Sequence, residues 1–207
     1  MTFVEQQLRG KFGDDAVELI ESEGTVKQNL LKLKITVPVA GSVTILMTNG
    51  LSNHRMKVHE KYAGKEYNEI FFCLPDYWDF ENPSGKWVFP MLEKLSSFVI
   101  EKDTWFGPGH TIPNGNPPVV FSEIMKQSFL VLDNPILLQK ELAPLESPDG
   151  NKIHFLALIP VFKDEFDYKT SKGMYKLQSK FREKGVNELL DMYRLSVIRG
   201  KWKLFPF

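Results

Sequence analysis

The sequence predicts an α+β fold: a mixed β-sheet sandwiched or flanked by helices, in a single domain spanning residues 1–207. Three observations carry this reading. Short apolar, β-branched runs recur at residues 29–39, 42–48, 66–74 and 153–162. A helix-periodic stretch at 86–101 interrupts them, and helical periodicity resumes after residue 171. Strand runs separated by helical stretches, with no repeat of solenoid length, argue for a sheet with helices packed on it.

The opening segment, Thr2 to Glu21, has helix-like apolar steps at Val4, Leu8 and Phe12, with a break near Gly13. Asn29–Val39 reads as a strand ending near Pro38, and Ser42–Thr48 as its hairpin partner across Ala40-Gly41. Asn49-Gly50 is a turn dipeptide. Glu66–Leu74 begins in alternation and becomes continuously apolar, as a strand running from an edge into the core does. Asp76–Gly85 is a polar and aromatic loop. In the helix from Lys86 to Glu101, Val88, Met91, Leu92, Leu95, Phe98 and Val99 make one apolar stripe, with Lys94, Ser96 and Ser97 facing away or on the flank.

Residues 102–118 are turn-rich but carry Trp105, Phe106 and His110, which a linker would lack. Val119–Phe121 and Phe129–Leu132 read as short strands. Ile153–Phe162, the most apolar stretch, reads as a central strand after the Ser147–Gly150 turn. Ser171–Lys184 reads as a helix capped by Gly185, followed by another helix that Asn187 caps and that holds Leu190, Tyr193, Val197 and Ile198. An apolar tail, Lys201–Phe207, ends the sequence.

Composition narrows the function. With 43% hydrophobic and 13% aromatic residues, the chain can bury a substantial core. Basic and acidic residues number 26 each, so there is no global basic excess for phosphate neutralisation, and no nucleic-acid partner is expected. One cysteine, Cys73, cannot form an internal disulfide. No signal-peptide core is evident, and no apolar run approaches the roughly 20 residues a membrane helix needs. A cytoplasmic protein without a membrane partner is the expectation.

Catalytic and cofactor patterns are missing from the sequence. There is no Gly-x4-Gly-Lys-Ser/Thr loop. In Gly107-Pro108-Gly109 the proline removes an N–H that a phosphate cradle would use. His54 and His59 are five apart rather than four, and one cysteine cannot build a thiolate zinc site. Cys73, within an apolar strand, reads as a buried inert thiol. Ser52 follows a turn and reads as bonding the turn backbone. Glu66, Glu69, Asp76, Asp79 and Glu81 read as solvated acids, and Asp164, Glu165 and Asp167 as the acidic start of a helix. No catalytic residue, metal or cofactor is assigned. The expected partner-binding residues are loop residues of two segments: Asp76, Tyr77 and Trp78, and Trp105, Phe106, Gly109 and His110.

Several segments together resemble the suppressor-of-fused (SUFU) domain family: TILMTNGLS at Thr44–Ser52, YNEIFFCLPDYW at Tyr67–Trp78, Trp87–His110 with its GPGHTIP continuation, and IHFLALIPV at Ile153–Val161 followed by Glu165. The likeness covers about Leu31 to Leu190, and the helix followed by TWFGPGHTI is its most specific part. It implies an α/β sandwich, no catalytic residues and no cofactor. The larger animal members sequester a transcription factor using an additional C-terminal region, which this sequence is not expected to carry. Short bacterial-type members suggest an immunity protein, a cytoplasmic partner of a toxin domain. Two alternatives stand beside it: a ligand or enzyme pocket around Gly107–His110, and a homodimer built on the Lys201–Phe207 tail.

Overall fold

The computed structural model describes residues 1–21 and 29–198. Helix α1 (Phe3–Phe12) leads into strand β1 (Val17–Ile20), β2 (Leu30–Val37), β3 (Gly41–Thr48) and β4 (Tyr67–Pro75). Helices α2 (Pro83–Lys86) and α3 (Val88–Glu101) follow. Then come β5 (Thr111–Pro113), β6 (Phe129–Asp133), β7 (Leu145–Glu146) and β8 (Lys152–Val161), and finally α4 (Lys163–Lys172) and α5 (Met174–Lys184). The strands form one mixed eight-stranded sheet in the order β1-β2-β3-β4-β8-β6-β5, with β7 beside β8. Among the strand pairs of the described residues, only β4–β8 is parallel.

Alternation explains the two sides of this sheet. On β4, Phe71 and Cys73 point to one core, and Ile70, Phe72 and Leu74 to the other. The first core holds Val4 and Leu8 of α1 and Leu177 and Phe181 of α5. The second holds Val88, Leu92, Leu95 and Val99 of α3. A strand segment buried on both faces is mostly apolar, which is why residues 70–74 of β4 and 155–161 of β8 read as continuous runs. Each fully buried Leu or Phe contributes about 1.5–3 kcal/mol.

Sheet and hairpin follow the sequence reading, and several local expectations are corrected. After Gly13 the chain makes one 3-10 turn and then strand β1, not more helix. Ser96 of α3 is buried and its hydroxyl donates to Leu92 O at 2.9 Å, whereas Phe98 is 46% exposed. The core seam is therefore Val88, Leu92, Leu95 and Val99, with Phe98 on its flank. Val119–Phe121 forms no strand; Phe121 turns inward and stacks on Trp87 at 4.6 Å. A single helix from Ser171 is replaced by α4 and α5, broken at Gly173, whose φ of +86° ends the first.

The helix expected after Asn187 does not form. Asn187 Oδ1 accepts the Leu189 N–H at 2.8 Å, and the Leu190 N–H goes to Cys73 O at 2.8 Å. The first bond is one that a helix N-cap also makes, but the second, with the parallel Leu189↔Cys73 bridge, lays the backbone along the edge of β4 instead of letting it coil. The Lys201–Phe207 tail lies outside the described residues.

Among the described residues, no helix is long and apolar enough to cross a membrane. No group of three His, Cys, Asp or Glu among them could hold a metal ion.

Candidate functional site

An open groove of about 970 Å³ runs between the C-terminal half of α3 and the strand β5. Leu95 and Phe98 form one wall, Trp105 and Phe106 the floor, and His110, Thr111 and Ile112 the other wall. Its charged lining is Lys94, Glu101 and the titratable His110. The groove exists because α3 packs on the sheet through one seam, which leaves Phe98 on the flank facing β5.

The loop joining α3 to β5 is held from several sides. Asp103, at φ +48°, turns the chain out of the helix, and Lys57 pairs with its carboxylate. Trp105 lies between Tyr62, with centroids 4.7 Å apart, and His110, edge-on at 4.3 Å. Phe106 is buried under the loop. The glycines have separate reasons. A Cβ on Gly107 would sit 2.3 Å from the Trp105 ring, so only glycine lets the indole fold over the backbone. Gly109 adopts φ +85° and donates its N–H to Leu132 O at 2.7 Å, which starts the β5–β6 pairing.

Burial holds His110 below the ordinary imidazole range, helped by the nearby Lys169 charge and opposed by a backbone hydrogen bond at Trp105. A depressed folded-state value means that the unfolded chain takes up the proton first. The stability tied to a neutral His110 is present above the ordinary value of 6.5 and is lost as pH falls below it. His154 carries the same sign, so the contribution must be read by difference. Between pH 8 and pH 5.5, urea unfolding is expected to show a smaller stability loss for His110→Gln than for the unmodified chain.

The other expected binding residues lie elsewhere. Asp76 pairs with Lys34 at 3.1 Å on the surface, and the Lys34 hydrogen bond holds its carboxyl below the usual range. Tyr77 is 58% exposed and lines a different depression of about 620 Å³, formed with residues 184–197. The two depressions share no lining residue. Trp78 is buried beside Trp87, with centroids 6.3 Å apart, so its indole faces the core rather than solvent. Trp105, Phe106 and His110 line the groove, and Gly109 turns the loop against Met174. Sequence reasoning missed Leu95, Phe98, Thr111 and Ile112. The available signal was Phe98, which falls off the 88, 92, 95, 99 spacing.

No hydrogen bond joins His110 to a carboxylate among the described residues. Cys73 is buried, and burial together with the Glu188 charge pushes its thiol well up. The acids next to β4 are not all solvated. Glu69 is fully buried, and its carboxylate accepts from the Thr48 and Ser52 hydroxyls and from the N–H groups of Gly50, Leu51 and Ser52. Ser52 thus bonds Glu69, not only its own turn. Glu165 is also buried: it accepts the Phe162 N–H at 3.0 Å and pairs bidentately with Arg194 at 2.6 and 2.7 Å.

These features define a class: a mixed α+β sheet flanked by helices, with an open, largely apolar groove beside its terminal strand. The model of the suppressor of fused protein (SUFU) family matches residues 33–195. The chain belongs to the suppressor of fused family. Solved structures agree on the fold. The Sufu–Fu complex superposes with a TM-score of 0.67 at 15% identity, covering 92% of this chain and 88% of that one. A SUFU homolog from Neisseria gonorrhoeae gives 0.61 at 18% identity, covering 95% and 98%. Drosophila Suppressor of Fused gives 0.59 at 17% identity, covering 82% of this chain and 42% of that one. No curated protein matches the chain.

Proposed function

We propose that the chain is a non-catalytic protein-binding module, acting as a single domain in the cytoplasm, that receives its partner in the α3–β5 groove. One observation carries this reading: an aromatic-floored groove lies beside a terminal strand whose outer edge pairs with no strand among the described residues. His110 and Asn114 direct their backbone bonds inward to Leu132 and Ser128. By alternation, the Thr111 N–H and C=O point outward, where a partner segment can meet them. That one solved relative in fold is a complex, Sufu with Fu, supports a protein partner here.

On this reading the partner is a toxin domain, and the chain is its immunity protein, of bacterial type. Among the described residues, the groove lining has a single carboxylate, Glu101, beside Lys94, which is not the acidic face that a basic nuclease cleft selects. A partner presenting an apolar segment fits better. The test is affinity capture from the native cells with crosslinking. A stoichiometric partner whose toxicity to cells is relieved by co-expressing this chain supports the reading. A captured partner with no such toxicity removes the immunity role and leaves the binding role. No partner, even after crosslinking, removes both.

A ligand pocket is the second reading, favoured by the groove's size and by the Thr111 hydroxyl, which is buried in its wall without a partner among the described residues. Thermal-shift screening addresses it.

A further inference from the structure

The sheet contains a fork, and the chain fills it with its own C-terminal segment. β4 and β8 pair only from Tyr67↔Ile153 to Phe71↔Ala157. Beyond that point, β4 continues along β3 to Pro75, and β8 continues along β6 to Val161. The facing edges of β4 and β8 are therefore not joined to each other. Residues 187–197 lie between them as a strap: Leu189 bridges Cys73 in parallel, and Arg194 Nη2 donates to Pro160 O at 2.7 Å.

Side chains supply most of the strap's other anchors. Glu188 Oε1 accepts the N–H groups of Ile136 and Leu138 at 2.9 and 2.8 Å. Arg194 clasps the buried Glu165, and the Val197 N–H reaches the same carboxylate at 2.9 Å. Leu190 and Val197 fill the two cores. Upstream of the strap, Gly185, with φ of +68°, closes α5.

We propose that the fork is a strand-accepting slot, that the strap is its exchangeable occupant, and that the partner it fits is the strap of a second copy of this chain. The slot's chemistry selects that sequence. An extended occupant must bring a carboxylate to the Ile136 and Leu138 N–H groups and, six residues later, a guanidinium to Glu165. Without the guanidinium, Glu165 is left as a buried, unpaired charge. The identical segment of another copy meets both demands with the geometry already seen within one chain. The Glu165–Arg194 pair is the latch that keeps the slot closed. This inference stands apart from the α3–β5 groove.

The chain's own chemistry provides a reporter. Cys73, its one cysteine, lies under the bridge and is 1% exposed. The experiment follows labelling of Cys73 by a soluble aromatic disulfide under native conditions. In Arg194→Met, labelling is expected to speed up on the order of a hundredfold over the unmodified chain. A synthetic peptide of residues 186–198 added in excess is expected to slow it again, whereas the same peptide carrying the Arg194→Met change is not. Labelling no faster than in the unmodified chain, or unaffected by the peptide, overturns the proposal. Should Arg194→Met fail to fold, hydrogen exchange in the unmodified chain decides. The Leu190 and Val197 amides are expected to exchange ahead of those of Ile45 and Phe71, with weaker denaturant dependence. Exchange of all four only through global unfolding overturns it.

Discussion

Glu69→Ala is expected to lower the unfolding free energy by about 3–5 kcal/mol, as a shift in the urea midpoint. The cause is the number of groups that depend on one carboxylate. Two hydroxyls, Thr48 and Ser52, and three backbone N–H groups, at Gly50, Leu51 and Ser52, converge on it inside the protein. Alanine leaves the three N–H groups and the Ser52 hydroxyl without this acceptor, and leaves Thr48 with its 3.4 Å bond to Ile70 O. Each orphaned buried donor costs about 1–3 kcal/mol, and local relaxation recovers part of the sum. Burial drives the Glu69 pKa up while these donors pull it down, so the carboxylate depends on them as they depend on it. A loss below about 1 kcal/mol would mean that the turn after β3 is held by other contacts.

The second large effect is on binding. Phe98→Asp is expected to weaken capture of the partner on the order of a hundredfold while leaving the fold intact. Phe98 is 46% exposed on the wall of the groove, so its loss empties no core. Its helix position accepts aspartate at a cost of about 1 kcal/mol or less. In the complex, however, the new carboxylate meets an apolar, dehydrated surface and leaves water unpaired. Tyr77→Asp, an equally severe change in the other depression, is expected to leave affinity within about twofold, since rim and remote positions contribute little. Isothermal titration with the captured partner distinguishes the two.

The particular elements show what a sequence carries. The β2–β3 hairpin is legible because Leu31, Leu33, Ile35 and Val37 alternate with polar residues and Ala40-Gly41 marks the turn. β8 is legible because residues 155–161 make one continuous apolar run, as a strand buried on both faces does. The strap is not: Leu190, Tyr193 and Val197 mimic helical spacing, while the long-range Leu189↔Cys73 bridge and the Leu190 N–H bond to Cys73 O draw the backbone onto the sheet edge. Glu69 is also hidden, because its partners lie 17 to 21 residues earlier and the fold alone brings them together. Its one trace is an acid at the mouth of an apolar strand. The loop aromatics are legible as an ordered feature. Which of them share a surface is not, since loops give no direction until the strand order is known. That order sends Trp105 and His110 to the terminal strand and Tyr77 to the fork.

The central claim is that the partner sits on the α3–β5 groove, and hydrogen exchange of the chain with and without the captured partner tests it most directly. Protection of residues 95–101 and 104–113, with 184–197 unchanged, is the result predicted. Protection confined to Tyr77 and residues 184–197, with the groove unchanged, would contradict it and move the binding surface to the strap.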